Sequence, residues 1–130
     1  MQKLFFISGS AAAGIAVILG AFGAHALKEK LAADQLQVFE TAVRYQMYHS
    51  FALISVALLS EKFNTQWLNY SGYLFMAGII LFCGSLYLLS TRNLLGIDNW
   101  KFLGPITPLG GLCFICGWML MLIGVLKTRV

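Results

Sequence analysis

Apolar residues fall into four long runs that are separated by short polar stretches. The runs cover residues 4–27, 43–60, 67–90 and 102–126. A helix rises about 1.5 Å per residue and the hydrocarbon core of a bilayer is about 30 Å thick, so a run of about 20 residues can cross it. The pattern predicts an all-α fold, an integral membrane bundle of four transmembrane helices that forms one domain over residues 1–130.

The longest polar stretch, residues 28–42, predicts an amphipathic connection between the first two spans. Asp34 followed by Gln37 resembles a helix N-cap with its capping-box partner. Apolar residues then recur at helical spacing from Leu36 to Val43. We expect a helix that begins near Asp34 and runs continuously into the second span, with its first turns at or outside the membrane interface.

The composition agrees with a membrane protein. Of the 130 residues, 59% are hydrophobic and 11% charged, where soluble domains have about 45–50% and about 25%. The net charge is +4, but the basic residues stand singly at the ends of apolar runs, which argues against nucleic-acid binding. Four lysines and arginines fall on one predicted membrane face and five on the other, so the positive-inside rule leaves the orientation open.

The first span carries small residues at intervals of four positions. They are Ser8, Ala12, Ala16, Gly20 and Ala24. In lipid, small residues along one ridge let a second helix backbone approach closely. The ridge therefore predicts helix packing, either inside the bundle or between the copies of a homo-oligomer.

Polar side chains concentrate at one end of the predicted bundle. With four spans, the first and third connections lie on the same side of the membrane. The residues that this topology gathers there are His25, Glu40, Arg44, Tyr45, Tyr48, His49, Ser85, Tyr87 and Thr107. The pairs Glu40–Arg44, Arg44–Tyr48 and Tyr45–His49 are four residues apart, hence neighbours on a helix surface.

Two interpretations of these residues stay open. Ionisable groups at membrane depth are functional candidates, which favours a polar pocket that binds a lipid, a quinone or a partner protein. Alternatively, the network only locks the second helix against its neighbours. The fourth run opens with two prolines and three glycines between Gly104 and Gly111, which predicts a kinked or interrupted start that is covered by protein or lines a cavity.

Cysteine and histidine chemistry supplies the alternative class of function. Cys113 and Cys116 form a C-x-x-C pair, and His25 and His49 share the predicted face, so a thiol–quinone or haem redox protein is the alternative. Because a thiolate is disfavoured in an apolar run, we instead expect Cys83 and both of these cysteines to be buried thiols. We expect no cofactor and no metal. The acidic residues lie in connections or at span margins, which disfavours a small transporter driven by protons.

Four motifs, at residues 20–25, 39–49, 84–87 and 104–111, resemble the YgdD/YwdK-like family of small four-span bacterial inner-membrane proteins. The resemblance covers essentially the whole chain. It implies a multi-pass protein of the cell inner membrane but no activity, since that family is one of unknown function. We therefore predict a non-enzymatic accessory or scaffold protein whose partners are membrane lipids and either another membrane protein or a second copy of the chain.

Overall fold

The structure, a computed structural model, describes residues 1–128, and this part of the chain is helical without β-strands. The helix α1 consists of Gln2–Phe22 and a wider π-helical turn, Gly23–Leu27. The helix α2 is Ala33–Lys62. The helix α3 joins Gln66–Gly78, a π-helical turn at Ile79–Cys83, and Gly84–Ser90. A short α4, Arg92–Leu95, precedes the long helix α5, Leu103–Lys127.

The four long helices pack as an antiparallel bundle. The helix α1 lies along α2, α3 lies along α5, and contacts between α2 and α3 join the two pairs. Within residues 1–128, three helices are long and apolar enough to cross a membrane: α1, α3 and α5. The all-α class and a multi-pass arrangement are therefore confirmed, while α2 is long but more polar than the other three.

The predicted continuity of the second helix is confirmed, but its predicted cap is wrong. The helix α2 runs unbroken for 30 residues, through the amphipathic connection and into the second apolar run. Its N-cap is Ala32, which has an extended backbone and makes no side-chain cap. Asp34 instead lies in the first turn, where a carboxylate still interacts favourably with the positive end of the helix dipole.

The glycine- and proline-rich start of α5 is a continuous helix, so the predicted interruption is wrong. Pro105 lies in the first turn, where its missing N–H would have no helical partner anyway. Pro108 has no N–H to donate, so the carbonyl of Gly104 lacks its helical hydrogen bond. Gly104 is exposed at the end of the helix. The irregular backbone occurs instead as the π-helical turns of α1 and α3.

Glycines determine how closely the helix pairs approach. A Cβ on Gly9 of α1 would lie 2.8 Å from the carbonyl oxygen of Ser50 on α2. A Cβ on Gly110 of α5 would overlap the backbone of Phe82, which belongs to the π-helical turn of α3. At both positions one helix touches the backbone of its partner, and a side chain would push the two helices apart.

The predicted small-residue ridge of α1 faces α2 only in part. Ala16 is fully buried, and a Cβ on Gly20 would lie 3.3 Å from Val43 of α2. Ser8 and Ala12 are half-buried, however, and Ala24 is exposed. The glycine that touches the backbone of α2 is Gly9, one position away from the ridge. The buried face of α1 follows Phe5, Gly9 and Ala16, and Phe5 packs on Gly72 and Tyr73 of α3.

Candidate functional site

The nine predicted site residues do not form one pocket. Glu40 and Arg44 lie on the outer edge of the α1–α2 contact, and Tyr45 and His49 belong to an aromatic cluster. Tyr87, Ser85 and Thr107 form hydrogen bonds between helices. Tyr48 and His25 are exposed. Four separate environments therefore replace the single polar face that the sequence predicted.

His49 lies inside the aromatic cluster, where only 5% of its surface is exposed. Its ring stacks on Phe114 with centroids 3.5 Å apart and planes 10° apart. Because a carbonyl only accepts, the hydrogen resides on Nδ1, which donates to the Tyr45 carbonyl at 2.7 Å. Nε2 accepts from Nε1 of Trp118 at 3.2 Å. Both ring nitrogens are thus occupied by protein partners.

The depth of His49 corrects its predicted place at a membrane face. Its partners Phe114 and Trp118 lie 11 and 15 residues after Leu103, the first residue of a 25-residue helix. His49 therefore sits about midway through the bundle. The predicted neighbour relation with Tyr45 is correct, whereas the predicted common face with His25, at the end of α1, is not.

Gln46 is a buried residue that the sequence analysis missed. Its Nε2 donates to the carbonyl of Ala12 on α1 at 2.8 Å, and its Oε1 accepts from the Tyr87 hydroxyl of α3 at 2.7 Å. One side chain thus joins three helices. The available signal was an uncharged amide in an apolar run, three residues before His49.

Other polar contacts complete the interior of the bundle. The hydroxyls of Ser85 and Thr107 lie 2.6 Å apart and link α3 to α5. Ser71 of α3 donates to the carbonyl of Gly117 on α5 at 2.7 Å. Within residues 1–128, every buried side-chain nitrogen and oxygen has a hydrogen-bond partner. These central residues act in this structure as links between helices.

We expect Gln46→Leu to lower the free energy of unfolding by about 1 kcal/mol, the typical size of an interhelical hydrogen bond in a membrane protein. Leucine has a similar volume but leaves the Tyr87 hydroxyl without its acceptor. Unfolding by denaturing detergent measures the change. The matched control is Gln37→Leu, at an exposed position of the same helix. Equal stability of the two variants would contradict the structural role of Gln46.

We call the contact between α1 and α2 the α1–α2 seam. Two hollows open along one flank of this seam. The first, the Arg44 notch, has a volume of about 240 Å³. It is lined by Gly20, Gly23, Phe39, Glu40, Val43 and Arg44. The second, the Lys3 hollow, has a volume of about 430 Å³. It is lined by Gln2, Lys3, Phe6, Ile7, Ala57, Leu58 and Glu61.

The charged pair at the Arg44 notch is weakly bound within the protein. Arg44 and Glu40 are 55% and 53% exposed, and their closest nitrogen and oxygen lie 3.7 Å apart. Nε of Arg44 also donates to the Glu40 carbonyl at a long 3.4 Å. Exposed pairs of this kind contribute at most about 1 kcal/mol, so most of the guanidinium remains available to a ligand.

The cysteines and histidines of the redox alternative lie in different environments. Cys83 is buried as expected, but Cys113 is half-buried and Cys116 is exposed, so the prediction of buried thiols is wrong for Cys116. His25 is exposed on the π-helical turn of α1, while His49 is enclosed between α2 and α5. In residues 1–128 no group of three or more His, Cys, Asp or Glu residues is placed to hold a metal ion.

Comparison with known proteins assigns a family to this fold. A family model described as "Protein of unknown function (DUF423)" matches residues 19–111. The UPF0382 membrane protein YwdK of Bacillus subtilis is 44% identical over 127 residues, which cover 97% of this chain and 98% of YwdK. A UPF0382 membrane protein of Staphylococcus saprophyticus is 42% identical over 126 residues, 97% of this chain and 99% of the relative.

A third relative, the UPF0382 membrane protein SAB0533 of Staphylococcus aureus, is 44% identical over 126 residues, 97% of this chain and 98% of that protein. No solved structure matches the chain. The resemblance that the four motifs indicated is confirmed. The chain belongs to the DUF423 family, and the relatives named above are UPF0382 membrane proteins.

Proposed function

We propose that this chain is a non-enzymatic, four-span protein of the inner membrane, an accessory or scaffold protein that holds a phospholipid at the Arg44 notch. The single observation that carries the proposal is an exposed guanidinium beside an apolar groove with glycines on one wall. Lipid is the ligand class that the notch fits best among those that the sequence left open.

The contact between α1 and α2 supports α2 as a fourth span. The two helices meet at Gly9 and Ser50, at Gly20 and Val43, and at Gly23 and Phe39. Because they touch along most of the apolar length of α1, a membrane that α1 crosses also surrounds α2. The buried polar side chains of α2 have partners inside the bundle, which removes most of the cost of placing them at membrane depth.

The walls of the notch suit an acyl chain. Gly20 and Gly23 leave a gap on α1, and Phe39 and Val43 line the opposite wall. Pockets that enclose whole drug-sized ligands measure about 300–1,000 Å³, so a hollow of about 240 Å³ accommodates part of a lipid chain better than a quinone ring and tail.

The rim of the notch suits a phosphate. A guanidinium binds phosphate oxygens through two parallel, charge-assisted hydrogen bonds, each stronger than a neutral one. Arg44 projects from α2 opposite the last turns of α1, near the level at which head groups begin. A lipid phosphate there would replace the weak contact with Glu40.

The test is native mass spectrometry of the protein released from mild detergent, with the bound lipids identified. We expect Arg44→Gln to reduce the bound phospholipid about tenfold, since a charge-assisted hydrogen bond is worth about 1.5–3 kcal/mol. Lys101→Gln, which removes an exposed positive charge before α5, is the matched control and should change nothing.

Two results would contradict the proposal. Equal lipid retention by the Arg44→Gln and Lys101→Gln proteins would show that the notch is not the site. A lipid-free wild-type protein that carries a second copy or another membrane protein would assign the seam to a protein partner.

A further inference from the structure

The Lys3 hollow lies on the same flank of the α1–α2 seam as the Arg44 notch, at the opposite end. On α1, Gln2 of the hollow and Gly20 of the notch are 18 residues apart, and on α2 so are Glu40 and Leu58. Eighteen residues are about five helical turns, so both pairs return to one face, and they span about 27 Å. The hydrocarbon core is about 30 Å thick, which places the two hollows near opposite head-group levels.

Two residues of opposite charge line the Lys3 hollow without forming an ion pair. Lys3 extends from α1 and Glu61 from α2. In the part of the chain that the structure describes, the one ion pair joins Arg44 to Glu40. Lys3 and Glu61 therefore do not form an ion pair with each other. Phe6, Ile7 and Leu58 form apolar walls that lead from these charges toward the bilayer centre.

An adjoining polar hollow enlarges the space around Lys3. It measures about 360 Å³, shares Gln2 and Lys3 with the first, and is otherwise lined by Met1, Ser60, Asn64, Thr65 and Asn69. Hydroxyl and amide groups of this kind donate to and accept from polar ligand atoms. The combined shape offers a charged and polar region above an apolar channel, as a phospholipid requires.

We propose that the Lys3 hollow binds a zwitterionic aminophospholipid. The Lys3 ammonium binds the lipid phosphate, and the Glu61 carboxylate binds the lipid ammonium group. The acyl chains pack on Phe6, Ile7 and Leu58. The site stands on these residues alone. That the seam carries one lipid from each leaflet rests in addition on the proposed function of the Arg44 notch.

The experiment uses the full chain in nanodiscs that contain equal amounts of phosphatidylethanolamine and phosphatidylglycerol, followed by native mass spectrometry. We expect wild type to retain two phospholipids and to prefer phosphatidylethanolamine. Lys3→Gln should lose one of them, with about tenfold lower occupancy. Lys62→Gln is the matched control, because it removes the same charge at the same membrane side while its ammonium lies over the ring of Phe63.

Glu61→Gln separates the head-group assignment from simple charge attraction. The variant should bind phosphatidylglycerol and phosphatidylethanolamine equally at this site, because the partner of the ammonium is gone. Equal lipid loss in Lys3→Gln and Lys62→Gln, or a wild type that binds phosphatidylglycerol as well as phosphatidylethanolamine, would overturn the inference.

The two proposals fail separately. If Arg44→Gln retains both lipids while Lys3→Gln loses one, the proposed function of the notch is wrong and the Lys3 site stands. The reverse pattern would overturn the Lys3 site and leave the notch. All of these side chains are exposed, so their replacement leaves the interior of the bundle unchanged.

Discussion

Replacing Gly110 by alanine is expected to lower the free energy of unfolding by about 2–3 kcal/mol, the upper range for an overpacked interior. The new methyl group would overlap the backbone of Phe82 in the π-helical turn of α3. A backbone cannot move aside as a flexible side chain can, so α3 and α5 must separate and lose contacts along their length.

Gly111→Ala is the matched control for this prediction. A Cβ at Gly111 would lie 3.8 Å from the Phe82 ring, an ordinary contact distance. Since alanine favours a helix over glycine by about 1 kcal/mol, this variant should be as stable as wild type or slightly more so. Denaturing-detergent titration or thermal unfolding compares the two, and equal stabilities would show that α3 and α5 do not approach closely at Gly110.

Replacing His49 by alanine is expected to cost about 2–4 kcal/mol, because it leaves a cavity and an unpaired donor in the bundle. The ring of Phe114 loses its stacking partner, and Trp118 Nε1–H loses its acceptor at a depth where no water replaces it. The stability loss is measured as above. A change in Trp118 fluorescence, read in a variant that lacks the other tryptophans, reports the local effect.

Tyr48→Ala serves as the control for His49→Ala, because Tyr48 is the preceding residue and is 56% exposed. We expect it to change stability by less than about 1 kcal/mol, as exposed substitutions generally do. The folded His49→Ala protein should also keep its lipids, since His49 faces α5 rather than the α1–α2 seam. Similar losses of stability from both variants would contradict the buried cluster.

These expectations separate the polar residues of the chain into two kinds. Gln46, His49 and Ser85 link helices in the interior, and their replacement should change stability. Arg44 and Lys3 lie exposed on the seam, and their replacement should change lipid binding. The sequence grouped His49, Ser85 and Arg44 together at one membrane face, because hydrophobicity and spacing do not distinguish an interior group that has a hydrogen-bond partner from one at the lipid boundary.

Local spacing was enough to predict the helical segments and the contacts within a single helix. The apolar runs predicted α1, α3 and α5 to within about two residues, and the unbroken course of α2 was also correct. The neighbouring positions of Glu40 and Arg44 followed from the helical period, since residues four apart always share a face.

The rotation and depth of each helix were decided only by the tertiary structure. That Gly9 is buried against the Ser50 carbonyl while Ser8 is half-buried depends on how α1 fits the surface of α2. The position of His49 midway through the bundle depends on the axial position of α2 relative to α5.

The sequence therefore determined that this is a helical membrane protein, where its helices lie in the chain and which family it resembles. The tertiary structure decided which polar groups are enclosed and which line the seam. The physical reason is that helix formation uses contacts within a few residues, whereas rotation, depth and the α1–α2 seam arise from side chains of different helices packing together.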